Sequence, residues 1–191
     1  MKATPTAIPD VLLLEPKVFG DERGFFMETW QRRVFAELGI DHDFVQDNHS
    51  RSERGILRGL HYQRRHPQGK LVRVSAGEVF DVAVDLRRAS RSFGRAVGVV
   101  LSGDNHRMLW VPPGFAHGFY VRSASADFQY KCTDYYHPEH ERSLLWNDPA
   151  LHIDWPLVDG EPPRLSAKDE AALPLAECDV FEDDPGSRVQ P

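Results

Sequence analysis

The sequence predicts a mostly β domain, a sandwich or barrel of many short strands, and three observations carry that expectation. The run 78-EVFDVAVDL-86 alternates, which places Phe80, Val82, Val84 and Leu86 on one face of a strand. Further short apolar runs recur at regular spacing, with Gly, Pro, Asn or Asp in the gaps. Helical periodicity is scarce. Chains of this pattern bury their strand edges by closing two sheets on each other or one sheet on itself.

Taken in order, the first apolar stretch is 11-VLLL-14, flanked by Asp10 and Glu15. It is too short for a membrane span and lacks the layout of a secretory leader. Trp30, Val34 and Leu38 then fall at helical spacing, with Thr29 as a possible cap. Besides 78–86, strands are expected at 56-ILRGLHYQ-63, 70-KLVRVSA-76, 95-RAVGVVL-101, 107-RMLWV-111, 115-FAHGFYV-121 and 127-DFQYKCTDYY-136. Pro67-Gln68-Gly69, Gly103-Asp104-Asn105 and Pro112-Pro113-Gly114 read as turns. A second short helix is expected within 166-SAKDEAAL-173. No repeat or linker interrupts the chain, so residues 1–178 form one expected domain. Residues 179–191 are acidic and then rich in Pro, Gly and Ser, which predicts a flexible tail.

The 191 residues are 41% hydrophobic and 27% charged, an ordinary soluble balance. A net charge of −6 argues against a surface that coats nucleic acid. Basic residues do gather in 51-RSERGILRGLHYQRRHPQGKLVR-73, which fits either a solvated loop or a site for a small anion such as a diphosphate. Cys132 and Cys178 imply no disulfide framework and suit a reducing cytoplasm.

Nine histidines raise the question of a metal. Many double-stranded β-helix (cupin) domains hold one through a glycine, five residues, a histidine, a second histidine two further on and then a glutamate, with a later Pro-x-Gly-x-x-His. Here Gly55 and His61 fit the opening, and Pro112 to His117 fits the later part. Gln63 stands where the second histidine belongs, and Pro67 or Gln68 where the glutamate belongs. Two histidines without a carboxylate make a poor ligand set, because such sites take roughly three or four protein ligands. The scaffold reads as cupin-like with its metal centre dismantled. His42, His49, His66, His106, His137, His140 and His152 lie in polar surroundings and read as surface residues.

A cavity that keeps a histidine without a metal can still move protons, since His titrates near neutral pH. By strand parity Leu57, Gly59, His61 and Gln63 share a face, Lys70 opens the next strand, and Tyr130 shares a face with Phe128 and Cys132. His61, Lys70 and Tyr130 would then serve as base, enolate-stabilising cation and acid. The residues alone leave open a structural histidine and a core tyrosine.

The segments 18-VFGDERGFFMETW-30, 44-FVQDNHS-50, 57-LRGLHYQ-63, 68-QGKLVRVSAGEVFDVAVDLR-87, 110-WVPPGFAHGF-119, 130-YKCTDYY-136, 145-LWNDP-149 and 165-LSAKD-169 resemble, in collinear order, the dTDP-4-dehydrorhamnose 3,5-epimerase family. The resemblance implies a cupin-like jelly-roll β-barrel with a few short flanking helices, a homodimer, and no cofactor. It also implies conversion of dTDP-4-dehydro-6-deoxy-D-glucose to dTDP-4-dehydro-L-rhamnose. By motif position it assigns His61 as base, Tyr130 as proton donor, Lys70 as the cation facing the C4 oxygen, and Asp169 as the carboxylate that orients the base. It assigns substrate contacts to Arg23, Glu28, Gln46, Asp47, Asn48, Arg58, Lys70, His117, Glu141 and Lys168, and no metal ligand. Ser166 and Asp169 also form S-x-x-D, a capping pattern that needs no catalysis. Simple alternation puts Arg58 opposite His61 unless a bulge at Gly59 turns both inward. Gln129 and Cys132, beside Tyr130, depart from the family pattern. The alternatives are a monofunctional 3- or 5-epimerase, a non-catalytic nucleotide-sugar-binding cupin, and a metal-dependent cupin, the last disfavoured by Gln63.

Overall fold

In a computed structural model that describes residues 1–187, the alternating run at 78–86 lies inside a sheet with apolar layers on both of its faces. In chain order the strands are β1 (Lys2–Pro5), β2 (Leu12–Glu15), β3 (Val18–Asp21), β4 (Gly24–Met27), β5 (Gln46–Glu53), β6 (Leu57–Gln63), β7 (Lys70–Ala76), β8 (Glu78–Asp85), β9 (Ala96–Ser102), β10 (Met108–Val111), β11 (Phe115–Val121), β12 (Ser125–Cys132) and β13 (Glu141–Ser143). The helices are α1 (Arg32–Glu37) and α2 (Ala167–Glu170), with short 3-10 turns between elements.

Two sheets face each other as a jelly-roll sandwich, not a closed barrel. One runs β1-β2-β10-β7-β12-β5 and the other β13-β6-β11-β8-β9, while β3 and β4, among the described residues, pair only with each other. Between the two large sheets lies a core of Val72, Val74, Leu109, Val111 and Phe128 against Val79, Ala83, Leu101, Phe115, Phe119 and Val121. The rings of Phe119 and Phe128 stack across it with centroids 4.0 Å apart. Phe80, Val82, Val84 and Leu86 do share a face, and it is the outer one, packed with Leu60, Tyr62, Leu144, Leu151, Val180 and Phe181. The outer face of the six-stranded sheet is covered by α1, where Phe35 and Ile40 pack on Leu14, Leu71, Met108 and Trp110.

Several boundaries differ from expectation. Helix α1 is capped by Gln31, whose side chain accepts from the Val34 amide at 3.0 Å, rather than by Thr29. The strand expected at 127–136 runs from 125 to 132. It ends where the Thr133 amide donates to the Gly69 carbonyl and the Gly69 amide to the Thr133 hydroxyl. Strands β1 and β2 belong to the six-stranded sheet, so the body begins earlier than the apolar runs suggested. Packing also continues past the expected boundary at 178/179. Val180 and Phe181 are buried, Phe181 exchanges backbone bonds with Leu86 and Arg88, and the Tyr62 hydroxyl donates to the Asp179 carbonyl. This apolar pair supplies enough contact to hold an otherwise acidic segment. Residues 188–191 of that expected tail lie outside the described residues.

Candidate functional site

One bulge sets the site. In the β6–β11 pairing His61 lies opposite His117 and Arg58 opposite Phe119, so β6 spends one residue more than its partner. That extra residue reverses the parity of the strand, and Arg58 and His61 line the same cavity. Gly59 permits it: its φ is 134°, and a Cβ there would stand 2.5 Å from the Gly118 Cα. The Arg58 guanidinium is held by the Ser52 hydroxyl at 2.9 Å.

The cavity, about 580 Å³, opens between the two large sheets. His61 and His117 enter from the five-stranded sheet. Lys70, Tyr130, Gln46 and Asn48 enter from the six-stranded one. Register explains the second group, because Tyr130 lies opposite Asn48 and Val72, and Cys132 opposite Gln46 and Lys70. The same register puts Asp47 opposite Lys131 on the other face. Asp47 is therefore outside the cavity, ion-paired to Lys131 at 2.9 Å, because neighbouring strand residues point to opposite sides.

The segment after the last strand closes the site. Ser166 caps α2, as S-x-x-D predicts, and Asp169 is buried in the first turn. One Asp169 oxygen accepts from the Ser166 hydroxyl at 2.8 Å and the other meets His61 Nε2 at 2.5 Å. One carboxylate thus makes both the contact to the capping serine and the contact to His61. A carboxylate at Nε2 favours the tautomer with its proton there, in which the second ring nitrogen can accept one. Burial pushes the Asp169 carboxyl up, but the His61 bond and charge, Ser166 and Lys168 outweigh it and hold it below the usual carboxylate range. Burial pulls Lys70 below its ordinary value, opposed by Cys132, Glu141 and Asp81. Burial likewise pushes Tyr130 up to about 12, so its hydroxyl keeps its proton at neutral pH. Cys132, also raised by burial to about 11, stays a thiol and accepts from the Asn48 amide at 3.6 Å.

Glu141 and Lys168 complete the wall, paired at 2.8 Å, and the Tyr136 hydroxyl donates to Glu141 at 2.9 Å. Ten of the expected residues therefore line one cavity: His61, Tyr130, Lys70, Asp169, Gln46, Asn48, Arg58, His117, Glu141 and Lys168. Arg23 and Glu28 do not. They sit at the exposed β3–β4 hairpin and just after it, and Arg23 is tied to Asp21.

A model of the dTDP-4-dehydrorhamnose 3,5-epimerase family matches residues 5–177. The chain belongs to this family. It is 61% identical over 182 residues to the dTDP-4-dehydrorhamnose 3,5-epimerase of Pseudomonas aeruginosa, covering 95% of this chain and 99% of that one. The dTDP-6-deoxy-D-glucose-3,5-epimerase of Legionella pneumophila, solved in complex with dTDP-4-keto-L-rhamnose, superposes with a TM-score of 0.90 at 60% identity. That match covers 93% of this chain and 94% of that one. A 3'-monoepimerase from Streptomyces bikiniensis, in complex with dTDP-quinovose, gives a TM-score of 0.83 at 33% identity, covering 90% and 87%.

Two features of this epimerase-family cavity escaped the sequence. Asp81 is fully buried and both its oxygens lie 3.0 Å from His117 Nε2, which fixes the proton on that nitrogen. Two acids on the inward parity of 78–86, Asp81 and Asp85, were the signal, and Asp81 is the one beside a cavity histidine. Arg164 and Leu165 also line the wall, brought in by an irregular segment with no periodicity to read. Of the basic run, Arg58 and Lys70 reach the cavity, whereas Arg51 and Arg64 form surface pairs with Asp127 and Asp179. Gln63 binds backbone instead of a metal. Its amide donates to the carbonyls of His66 (2.6 Å) and Tyr135 (3.1 Å), and its oxygen accepts from the His137 amide (2.6 Å).

Proposed function

We propose that the protein inverts C3 and C5 of dTDP-4-dehydro-6-deoxy-D-glucose, giving dTDP-4-dehydro-L-rhamnose, with His61 as base and Tyr130 as acid. The observation that carries this is the arrangement of the two groups on facing sheets, with Lys70 beside the acid. A carbon beside a ketone is inverted when its proton leaves from one side of the ring and another arrives on the opposite side. Each such transfer by a positioned group contributes about 10²–10⁴-fold.

Removing the proton throws charge onto the C4 oxygen. Lys70 stabilises that enolate, while Asp81 takes the Nε2 proton of His117 and orients its ring at the cavity wall. Asp169 orients His61 and stabilises the imidazolium it becomes. Arg58, Arg164 and Lys168 give the cavity positive charge suited to a diphosphate. No step calls for a metal or a cofactor. Inversion of both carbons, rather than C3 alone, is supported by the higher identity to 3,5-epimerases than to the 3'-monoepimerase.

The same reading makes the protein a homodimer with shared sites. The β3–β4 hairpin pairs with no other strand among the described residues, yet it exposes Phe19, Phe25 and Phe26, the last 70% exposed. Apolar rings of this kind usually meet a partner. Seated on a second copy, the hairpin would bring Arg23 and Glu28 of each chain to the other chain's cavity, where the resemblance assigns them. A fully active monomer in light scattering would contradict this. The two free thiols suit a cytoplasmic setting.

The test of the chemistry is solvent exchange. In D2O the protein should place deuterium at C3 and C5 of the 4-keto sugar nucleotide, and His61→Asn should lose both wash-in and product while nucleotide binding persists. Wash-in by His61→Asn near the wild-type rate would assign the base elsewhere.

A further inference from the structure

Outside the cavity, the loops that follow β6 and β12 bring together three groups that the sequence scatters. His66, Asp134 and His137 each offer a ligand atom, and all three atoms lie within 4.8 Å of one another. We propose that these residues bind a divalent transition-metal ion of the Zn2+ type, at a site separate from the reaction centre.

The placement is built, not incidental. Gln63 bonds the His66 carbonyl and the His137 amide, so one side chain sets both histidines. Their rings stack with centroids 4.2 Å apart, and His66 holds a left-handed φ of 55°. His66 Nδ1 stands 3.4 Å from Asp134 Oδ2. Around a tetrahedral ion with ligand bonds of about 2.0–2.1 Å, donor atoms stand roughly 3.4 Å apart, so this pair already has the required spacing. His137 must close the remainder by turning its half-exposed side chain out of the stack on His66 and away from Glu139, because a ligating imidazole holds the ion in its ring plane. His140 lies near, its ring 5.8 Å from that of His66, and is a candidate fourth ligand beside water.

Two imidazoles and one carboxylate favour Zn2+, Ni2+ or Cu2+ over Mg2+ and Ca2+, which take oxygen sets. Glu139, 3.4 Å from His137, adds negative charge. A bound ion would link the 64–69 loop to the 133–137 loop. Those loops also carry Gln68 and Tyr136, which line the cavity, so the ion would brace the rim from outside.

The experiment uses the full chain without an affinity tag, stripped with chelator and titrated with ZnCl2 by calorimetry. One equivalent should bind in the micromolar range, reversibly to chelator, and raise Tm. Co2+ should give the intense visible bands of a tetrahedral site. His66→Ala and His137→Ala should each weaken Zn2+ binding by at least about tenfold and abolish the Tm rise, since loss of even an outer-shell group costs that much. Without metal, both variants should turn over substrate like the wild type, which shows them folded. No heat beyond dilution would overturn the proposal and leave only a histidine–aspartate pair. Zn2+ binding unchanged in both variants, or Mg2+ binding as tight as Zn2+, would overturn it too.

Discussion

Asp169→Asn removes one charge from beside His61, the proposed base, and almost nothing else. The carboxylate is 3% exposed and touches His61 Nε2 at 2.5 Å. When His61 takes a proton, the two charge centres stand about 4 Å apart, an interaction worth about 4 kcal/mol at an effective dielectric near 20. Losing it from the transition state slows turnover by about 10³-fold, at roughly 1.4 kcal/mol per factor of ten. The neutral ground state feels little of this, so kcat and kcat/KM should fall together while KM holds. Proton NMR in D2O reads wash-in at C3 and C5 and product in one experiment. Ser166→Ala separates the cap from the chemistry. It removes the hydroxyl that bonds Asp169 and caps α2, at about 1 kcal/mol, and should lower Tm by about 2–4 °C. Its activity loss should be far smaller than that of Asp169→Asn. If Asp169→Asn stays within tenfold of wild type, or if Ser166→Ala matches it, the carboxylate is a structural cap and the orienting role is refuted.

Three further outcomes follow from the same geometry. Tyr130→Phe should lose inversion at C5 yet keep measurable wash-in, because abstraction needs only the base; loss of wash-in equal to that of His61→Asn would contradict separate roles. Gly59→Ala should lower Tm by loosening the β6–β11 junction, since its Cβ would meet the Gly118 backbone at 2.5 Å; a wild-type Tm would refute the close approach. Asp85 is fully buried, and although burial raises its carboxyl, bonds from Arg87, Ser92 and Ser90 outweigh that and hold it low. A depressed carboxyl contributes stability that is complete above its unfolded pKa of about 3.9 and lost as pH falls through the folded value. Asp85→Asn should therefore cost roughly 3 kcal/mol at neutral pH, by stranding the buried Arg87 with only Asp10 and Asp184, and should flatten the acid limb below pH about 4. Urea unfolding across pH checks this, and parallel curves for variant and wild type would refute it.

What the sequence could show follows from how local each signal is. Alternation within a strand is local, so most strands of the two sheets and the shared face of Phe80, Val82 and Val84 were legible. Motif position picked out His61, Lys70, Tyr130 and Asp169, which do line one cavity, but it carries no parity, and so it grouped Asp47 with its neighbours Gln46 and Asn48. Parity alone misled in the other direction at Arg58, where only the bulge at Gly59 reconciles it with His61. The Asp81–His117 pair joins neighbouring strands through a register that a one-dimensional pattern does not contain. Gln31 is the cap rather than Thr29 because the helix begins at Arg32, which leaves Thr29 two residues ahead of the cap position. In the tail, composition averaged Val180 and Phe181 into an acidic segment and hid the two residues that dock it.

Gln63 bears on which changes this scaffold can undergo. It occupies the position where related scaffolds place a metal-binding histidine, and it satisfies two carbonyls and one amide at once. An imidazole offers one donor and one acceptor on opposite sides of a ring, so Gln63→His would leave at least one backbone group unmatched, at about 1–3 kcal/mol each. A histidine at this position would thus cost loop stability before any question of catalysis arises. Position 63 is therefore held by the two loops it ties together, and a change there is felt first as lost loop anchoring rather than as a change in the cavity.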